Sequence, residues 1–182
     1  MISRFFLLIP LLLLSLDQPK LVKTKLTDDI TASIPKGWVP MTDLDFTERY
    51  PSVRAPLAAY TNDERSADFS VNISATQWPD ADLVIAQKFF KASIMNMFDK
   101  VQFISEGIRE VGGKKYVYFE FESRVHGNRN QEGNADPVLG YTHQQYLITP
   151  KRTLVFTFNC PRRIRNQWES TGLAIMKSLK VN

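Results

Sequence analysis

The sequence predicts an α+β domain in which an antiparallel β-sheet of about six strands, built from hairpins, packs with two main amphipathic helices. Apolar and polar residues alternate strictly over residues 68–75, which is the period of a β-strand. Apolar residues recur at helical spacing after Trp78 and again after Pro161. Short polar turns separate the other strand-like segments, so neighbouring strands are expected to pair as hairpins.

The first third of the chain predicts short strands joined by turns and one proline-rich loop. The predicted strands begin at Leu21 and at residues 31, 57 and 68, with turns at Asp28-Asp29, at Pro35–Trp38 and over residues 62–66. Three prolines among polar residues predict a loop with at most a short helical turn over residues 39–56. In the alternating strand, Phe69, Val71, Ile73 and Ala75 are expected to face the core, and Asn72 to point outward.

Two helices are predicted, each with one buried face. The first opens after Trp78-Pro79, where Asp80 or Asp82 supplies an acidic first turn, and Lys88 and Lys91 are expected only to be solvated. Its predicted buried residues are Leu83, Ala86, Phe90, Ile94 and Met97. The second helix follows Pro161, and its predicted buried residues are Ile164, Trp168, Gly172, Ile175 and Leu179.

Two hairpins lie between these helices. The first joins residues 103–110 to residues 114–125 through Gly112-Gly113, where two glycines permit a tight turn. The second joins residues 141–149 to residues 153–159 through Pro150-Lys151-Arg152. A long polar loop connects the two hairpins, and loops of this length in compact domains are usually functional or mobile.

This order of elements resembles that of the Mog1/PsbP-like fold family, including small exported bacterial proteins of the PsbP/DcrB-like type. The resemblance rests on IPKGW at residues 34–38, LVFTF at residues 154–158 and IMKSLK at residues 175–180. It implies an α/β/α sandwich that occupies residues 17–182 as a single domain. It also implies an accessory or binding role without a shared catalytic constellation, and it transfers no metal-binding residue to this chain.

Residues 1–16 predict a signal peptide. Arg4 precedes an apolar run from Phe5 to Leu16, interrupted only by Pro10 and Ser15. This run is shorter than the roughly 20 residues that a spanning helix needs. A short, uncleaved N-terminal anchor is the alternative, and the absence of a following cysteine excludes acylation there as a bacterial lipoprotein. The segment therefore predicts an extracytoplasmic protein, periplasmic or secreted.

Composition excludes several classes of protein. A hydrophobic fraction of 43% is too high for a disordered chain, and a single cysteine excludes an internal disulfide framework or a cysteine-based zinc site. The net charge of +4 is modest, which together with export disfavours a nucleic-acid partner. Cys160 shares a strand face with Leu154, Phe156 and Phe158, so a buried, inert thiol is predicted, with intermolecular pairing as the alternative.

The distribution of charge predicts a surface for an anionic partner. Residues 27–48 carry five acids and one base, whereas residues 150–182 carry seven bases and one acid. Arg162, Arg163 and Arg165 fall at the predicted N-terminus of the last helix, where positive charges oppose the helix dipole. This cluster suits a phosphate, a lipid head group or an acidic protein, and a solvated basic patch is the alternative.

The long loop predicts a second contact region. Arg124, Arg129 and Tyr141 lie in or beside it and are candidates for contacting a partner. Its Asn, Gly and Gln content is equally typical of a disordered connection.

Two further constellations are weighed against structural interpretations. His126 and His143 flank the loop and with Glu132 or Asp136 could hold a divalent metal, but solvent-facing histidines at strand ends are the expected alternative. Glu120 and Glu122 share a strand face and could serve a hydrolase, although the opposite apolar set explains the alternation without catalysis.

The sequence thus predicts a non-enzymatic, exported accessory or binding domain of the cell envelope that acts through protein–protein contacts. It predicts no cofactor, and the oligomeric state is left open. A peripheral membrane or polyanion binder that uses the three arginines is the first alternative, and a hydrolase that uses Glu120 and Glu122 is the second.

Overall fold

The computed structural model describes residues 19–49, 55–78, 82–125 and 137–182. The ten strands of this part of the chain are β1 (Leu21–Lys25), β2 (Ile30–Pro35), β3 (Val39–Pro40), β4 (Ala58–Thr61), β5 (Asp68–Ile73), β6 (Lys100–Val111), β7 (Lys114–Val125), β8 (Val138–Ile148), β9 (Thr153–Pro161) and β10 (Lys180–Val181). The helices are α1 (Asp43–Arg49), α2 (Leu83–Met97) and α3 (Arg165–Lys177), and a 3₁₀ turn (Arg162–Ile164) leads into α3.

Two antiparallel sheets organise the molecule. The larger sheet has seven strands in the order β3-β4-β5-β9-β8-β7-β6, and the smaller has the order β1-β2-β10. One face of the large sheet packs against α2, through a core that includes Phe90, Phe119 and Tyr146. The other face packs against α3 and the small sheet, through a core that includes Phe156 and Ile175. The predicted α+β fold is confirmed, with more strands than the six expected.

The β6–β7 hairpin follows from local sequence. Gly112 and Gly113 both adopt positive φ angles, of 58° and 77°. A two-residue turn with both φ values positive matches the twist of the strands that it joins, which is why glycines occupy it. The hairpin extends to Lys100 at one end, three residues beyond the predicted start at Phe103. The second predicted hairpin is also present, as β8 and β9.

Helix α2 begins after Asp82, one of the two aspartates that were expected at its start. The Asp82 carboxylate accepts hydrogen bonds from the backbone N–H groups of Val84 and Ile85, at 2.8 and 3.3 Å. Ala86, Phe90 and Ile94 are buried as predicted, but Met97 in the last turn is 59% exposed. Lys91, expected only to be solvated, donates to Glu106 at 2.7 Å across to β6. Pro79 and Asp80 lie outside the described residues.

The proline-rich stretch, predicted to be a loop with at most a short helical turn, holds more structure than that. Helix α1 spans Asp43–Arg49, and β3 pairs with β4 ahead of it. The Thr42 hydroxyl accepts a hydrogen bond from the Asp45 N–H, while Asp45 accepts from the Thr42 N–H at 2.8 Å. This reciprocal capping, with an ion pair from Arg65 to Asp45, stabilises a short helix that hydrophobic periodicity does not reveal.

The polar side of β5 is not the solvent-exposed face that alternation suggested. Asp68 and Ser70 are buried, and Asn72 is half-buried. Asn159 on the neighbouring strand donates a hydrogen bond to Asp68 at 3.3 Å, so these polar side chains pair across the sheet. The Ala75 of the predicted core stripe lies beyond the end of β5 and is exposed.

No helix among the described residues is both long enough and apolar enough to cross a membrane.

Candidate functional site: the basic end of the sheet

Strand register brings cationic and apolar residues together at one end of the large sheet. Lys100 lies opposite Arg124 in the β6–β7 pair, and Arg124 lies opposite Leu139 in the β7–β8 pair. Gly140 lies opposite Pro161, so the 3₁₀ turn with Arg162 and Arg163 starts beside the beginning of β8. We call the resulting surface the basic end; its residues are Lys100, Arg124, Val138, Leu139, Arg162 and Arg163.

Two adjoining grooves mark the basic end. One has a volume of about 300 Å³ and is lined by Lys100, Glu122, Arg124, Leu139 and Arg162, among others. The second, of about 490 Å³, continues past Pro137 and Val138 to Arg163. Both are lined by Pro137, Leu139 and Arg162, so the two grooves adjoin and combine apolar with cationic side chains.

Glu122 organises the arginines of the predicted cluster. Its Oε2 lies 2.8 Å from Arg162 Nε, and its Oε1 lies 3.0 Å from Arg165 Nη1. Arg165 also contacts Glu169 one helical turn later, at 2.6 Å. Two acids therefore offset the unfavourable interaction of these arginines with the N-terminus of α3. Arg163 has no ion pair within the described residues and is exposed.

Tyr141 lies inside the protein, not on the surface where the sequence analysis expected it to contact a partner. Its side chain is 1% exposed, and its hydroxyl donates to Glu120 Oε1 at 2.8 Å. Burial and the neighbouring Glu120 carboxylate raise the pKa of the Tyr141 hydroxyl, because both disfavour the phenolate. The Arg165 guanidinium lies 5.1 Å from the centre of the Tyr141 ring, so the ring makes a cation–π contact with Arg165.

The two carboxylates considered for hydrolysis are both engaged in the fold. Glu120 and Glu122 do lie on one face of β7, the face that packs against α3. Glu122 binds two guanidinium groups and Glu120 accepts from Tyr141. A nucleophile needs a free carboxylate beside the substrate, so this arrangement favours a structural role for the pair.

His143 is not the solvent-facing histidine that was expected. It is fully buried in the middle of β8, opposite Glu120 on β7 and Phe158 on β9. Burial, together with the positive charges of Arg109 and Lys177, lowers the pKa of His143 to about 3, so the imidazole is neutral near pH 7. Neither ring nitrogen has a hydrogen-bond partner among the residues that the structure describes.

The metal hypothesis gains no support from the residues that the structure describes. Among them, no group of three or more His, Cys, Asp or Glu side chains is arranged to hold an ion. His126, Glu132 and Asp136, the other members of the proposed ligand set, lie outside the described residues, as does Arg129.

Cys160, on β9, is a free thiol buried in the core that includes Phe156 and Ile175, as predicted. Burial raises the pKa of the Cys160 thiol to about 12, which keeps it protonated and unreactive.

A further groove, of about 580 Å³, opens on the α3 side of β6 and β7. Arg109 and Lys177 line it together with Glu110 and Glu120, so its charges are balanced. The Arg109 guanidinium lies 3.4 Å from the centre of the Tyr118 ring, which fixes its position. This mixture of charges indicates no particular ligand.

Sequence reasoning missed Lys100, Val138 and Leu139. Lys100 and Arg124 are far apart in sequence and meet only through the β6–β7 register. Val138 and Leu139 could have been recognised from the sequence as candidates, since they are two apolar residues that follow Pro137 directly after a polar loop.

Comparison with known proteins identifies the fold. No protein-family profile and no curated protein sequence matches the chain. Solved structures do match. The cyanobacterial PsbP protein CyanoP from Synechocystis is 13% identical, with a TM-score of 0.61 over 89% of this chain and 92% of that one.

Two further structures share the architecture. The Ran-binding protein Mog1p of Saccharomyces cerevisiae is 13% identical, with a TM-score of 0.54 over 90% of this chain and 96% of its own. LpqN of Mycobacterium tuberculosis, described as involved in cell envelope biogenesis, is 13% identical, with a TM-score of 0.59 over 90% of this chain and 91% of its own. At such low identity the similarity establishes architecture alone, and on that basis the chain has the Mog1/PsbP-like fold.

Proposed function

We propose that the protein is a non-catalytic binding domain of the cell envelope that holds another protein at its basic end. The observation that carries this proposal is the coincidence of exposed apolar side chains with unneutralised cations at one end of the sheet. The partner that fits such a surface is a protein segment with acidic residues around an apolar side chain.

The apolar part of the surface supports a protein partner over a purely electrostatic one. Val138 is 65% exposed and Leu139 is 39% exposed, although both belong to a strand. Interfaces between proteins commonly combine an apolar centre with a polar rim, whereas a simple polyanion site has no use for exposed aliphatic groups. The shared grooves give a partner side chain a place to insert.

The charge of the rim supports an acidic partner. Arg124, Arg163 and Lys100 are exposed and make no ion pair within the described residues. Arg162 is partly neutralised by Glu122 and is held in place by it. Exposed rim charges mainly accelerate association and select partners, so the affinity of the complex should fall as salt concentration rises.

The proposed location rests on the N-terminal segment. An apolar run after Arg4 is typical of a signal peptide, which would deliver residues 17–182 to the envelope as one domain. The same fold occurs in LpqN, which is involved in cell envelope biogenesis. A binding role is also known within this architecture, since Mog1p binds Ran.

The test compares retention of envelope proteins by the immobilised chain and by two double variants. Arg124→Glu with Arg163→Glu reverses the rim charge, and Val138→Ser with Leu139→Ser removes the apolar centre. A matched control, Lys23→Glu with Lys36→Glu, makes the same change in net charge at exposed sites on β1 and after β2. Thermal unfolding of each variant verifies that it is folded.

We expect the wild type and the control to retain one protein with an acidic surface. Both double variants should retain at least tenfold less of it. Equal retention by all four chains would contradict the proposal. Binding to heparin or to anionic vesicles that depends on Arg163, without any retained protein, would replace it with the polyanion alternative.

A further inference from the structure

Helix α2 exposes an apolar outer face. Its inner side chains, Ala86, Phe90 and Ile94, are buried against the sheet. Its outer face should then be polar in a helix that only packs on its own domain. Instead, four apolar side chains on that face are about half exposed: Val84 at 52%, Ile85 at 55%, Phe89 at 40% and Met95 at 56%.

The charges on and around this face are mainly positive. Residues 83–97 contain two lysines and no acidic residue. Lys88 lies on the outer face, is exposed, and makes no hydrogen bond or ion pair within the described residues. Lys91 is paired with Glu106 at 2.7 Å, which removes that nearby acid as a free charge. Asp82 and Asp99 lie at the two ends of the helix, outside the apolar face.

The end of α2 leads into further cations. The N–H of Asp99 donates to the Arg124 carbonyl at 3.1 Å, so the last turn of α2 meets the end of β7. Lys100 follows directly and lies opposite Arg124 in the β6–β7 pair. The apolar face therefore has a lysine within it and two more cations beside its C-terminal end.

A second copy of the chain is a poor occupant for this face. Four half-exposed side chains offer on the order of 400 Å² of apolar surface, about half of what one partner buries in a stable interface. Two copies of one helix face meeting across a two-fold axis would also bring Lys88 of each chain into the interface, where like charges would lose their hydration.

A membrane surface can accept both the apolar side chains and the lysine of this face. Apolar side chains enter the boundary between head groups and acyl chains, and a lysine on the same face extends its ammonium group to the lipid phosphates. Anionic lipids favour a helix that carries cations and no acid. The limited apolar area and the lysine on this face, which both oppose self-association, therefore both favour contact with lipid.

We propose that α2 is a membrane-contact helix, which lies flat on an anionic lipid surface with Val84, Ile85, Phe89 and Met95 inserted and Lys88 at the phosphates. None of these five residues lines the grooves of the basic end, whose Lys100 and Arg124 lie beside the C-terminal end of α2. A protein held at the basic end would thus be presented beside the membrane.

The experiment places an environment-sensitive NBD fluorophore on single cysteines of the full chain. Met95→Cys puts the probe on the outer face of α2, and Lys36→Cys puts it after β2, on the far side of the large sheet. Cys160 is buried and does not compete for labelling under folded conditions. The vesicles are phosphatidylglycerol with phosphatidylethanolamine, and phosphatidylcholine alone serves as the neutral comparison.

We expect the emission of the residue-95 probe to shift to the blue on anionic vesicles and to be quenched by spin-labelled lipid, while the residue-36 probe does not change. A contribution of residues 1–16 to vesicle attachment would be common to both proteins, so it does not affect this contrast. An unchanged residue-95 probe on anionic vesicles would overturn the proposal, whether or not the chain sediments with them.

Charge and self-association provide the second readout. Lys88→Glu should reduce the blue shift of the residue-95 probe at least fivefold, Lys88→Arg should retain it, and Lys36→Glu should match the wild type. Sedimentation velocity without lipid should give a monomer. A dimer that Val84→Gln with Met95→Gln dissociates would assign the face to a second copy and contradict lipid contact.

Discussion

Glu122 is the residue that holds Arg162 and Arg165 in place. One of its carboxylate oxygens binds Arg162, in the 3₁₀ turn, and the other binds Arg165, the first residue of α3. Glu122 is 15% exposed, so its charge is only partly solvated and depends on these partners.

Replacement of Glu122 by Gln should destabilise the fold. We expect a loss of about 1–2 kcal/mol in the free energy of unfolding, because two charge-assisted contacts to a largely buried acid disappear. Urea denaturation measures this loss. Glu110→Gln is the control, since Glu110 is exposed and has no ion pair within the described residues. Equal stability of the two variants would show that the Glu122 network is not important for folding.

His143 should make stability depend on pH. Its folded pKa of about 3 lies below the usual value of 6.5, so the unfolded chain binds a proton more readily. The contribution of His143 to the free energy of unfolding is constant above pH 6.5. As the pH falls from 6.5 towards 3, His143 lowers the free energy of unfolding by at most about 1.4 kcal/mol per pH unit.

Comparison with His143→Leu isolates this effect from the carboxylates, which titrate in both proteins. The free energy of unfolding of the wild type should fall more steeply between pH 6.5 and pH 4.5 than that of the variant. Parallel curves over this range would mean that His143 has a similar pKa in the folded and unfolded chains.

Residue types alone did not reveal these two sites. Arg162 and Glu122 are distant in sequence, and their contact depends on where α3 starts relative to β7. His143 was expected at a strand end because the sequence does not show that β8 begins at Val138 and passes beneath α3. Cys160 was predicted correctly because its burial follows from strand alternation, which is a local property.

At the scale of the elements, α3 depends on a close approach to β9. A Cβ atom at Gly172 would lie 2.6 Å from Cδ1 of Phe158, which is closer than the two atoms can pack. Gly172 is thus a position at which α3 closely approaches Phe158, and glycine is required there for space.

Gly172→Ala should therefore destabilise the protein despite the higher helix propensity of alanine. Overpacking costs about 1–3 kcal/mol, whereas the propensity gain is about 1 kcal/mol, so a net loss is expected. The measurement is the midpoint of urea unfolding, with Gln167→Ala at an exposed position of α3 as the control. A more stable Gly172→Ala variant would contradict the packing described here.

Local signals explain which elements the sequence predicted well. The Gly112-Gly113 turn and the buried face of α2 follow from turn chemistry and helical spacing. Met97 was predicted to be buried because apolar residues at helical spacing continue to the last turn of α2, but its side chain is 59% exposed. Helix α1 exceeds the short helical turn that was predicted, because its stability comes from capping by Thr42 and Asp45 and from Arg65, which is outside the helix.

At the scale of the whole molecule, four strand ends converge on one surface. The chain reaches it from β6, β7, β8 and β9, and register alone brings Lys100, Arg124, Leu139 and Arg162 together. The order of elements was enough to predict the Mog1/PsbP-like fold. It was not enough to predict this surface, because a shift of one residue in any strand pair would change its members.

Site-specific photo-crosslinking in intact cells of the source organism tests most directly whether the basic end binds another protein. A photoreactive amino acid replaces Leu139 or Arg163 at the basic end, and Lys36 in a control chain. We expect one discrete crosslinked protein from positions 139 and 163 and none from position 36. Equal crosslinking from all three positions, or no crosslinked protein from positions 139 and 163, would contradict a protein-binding role for the basic end.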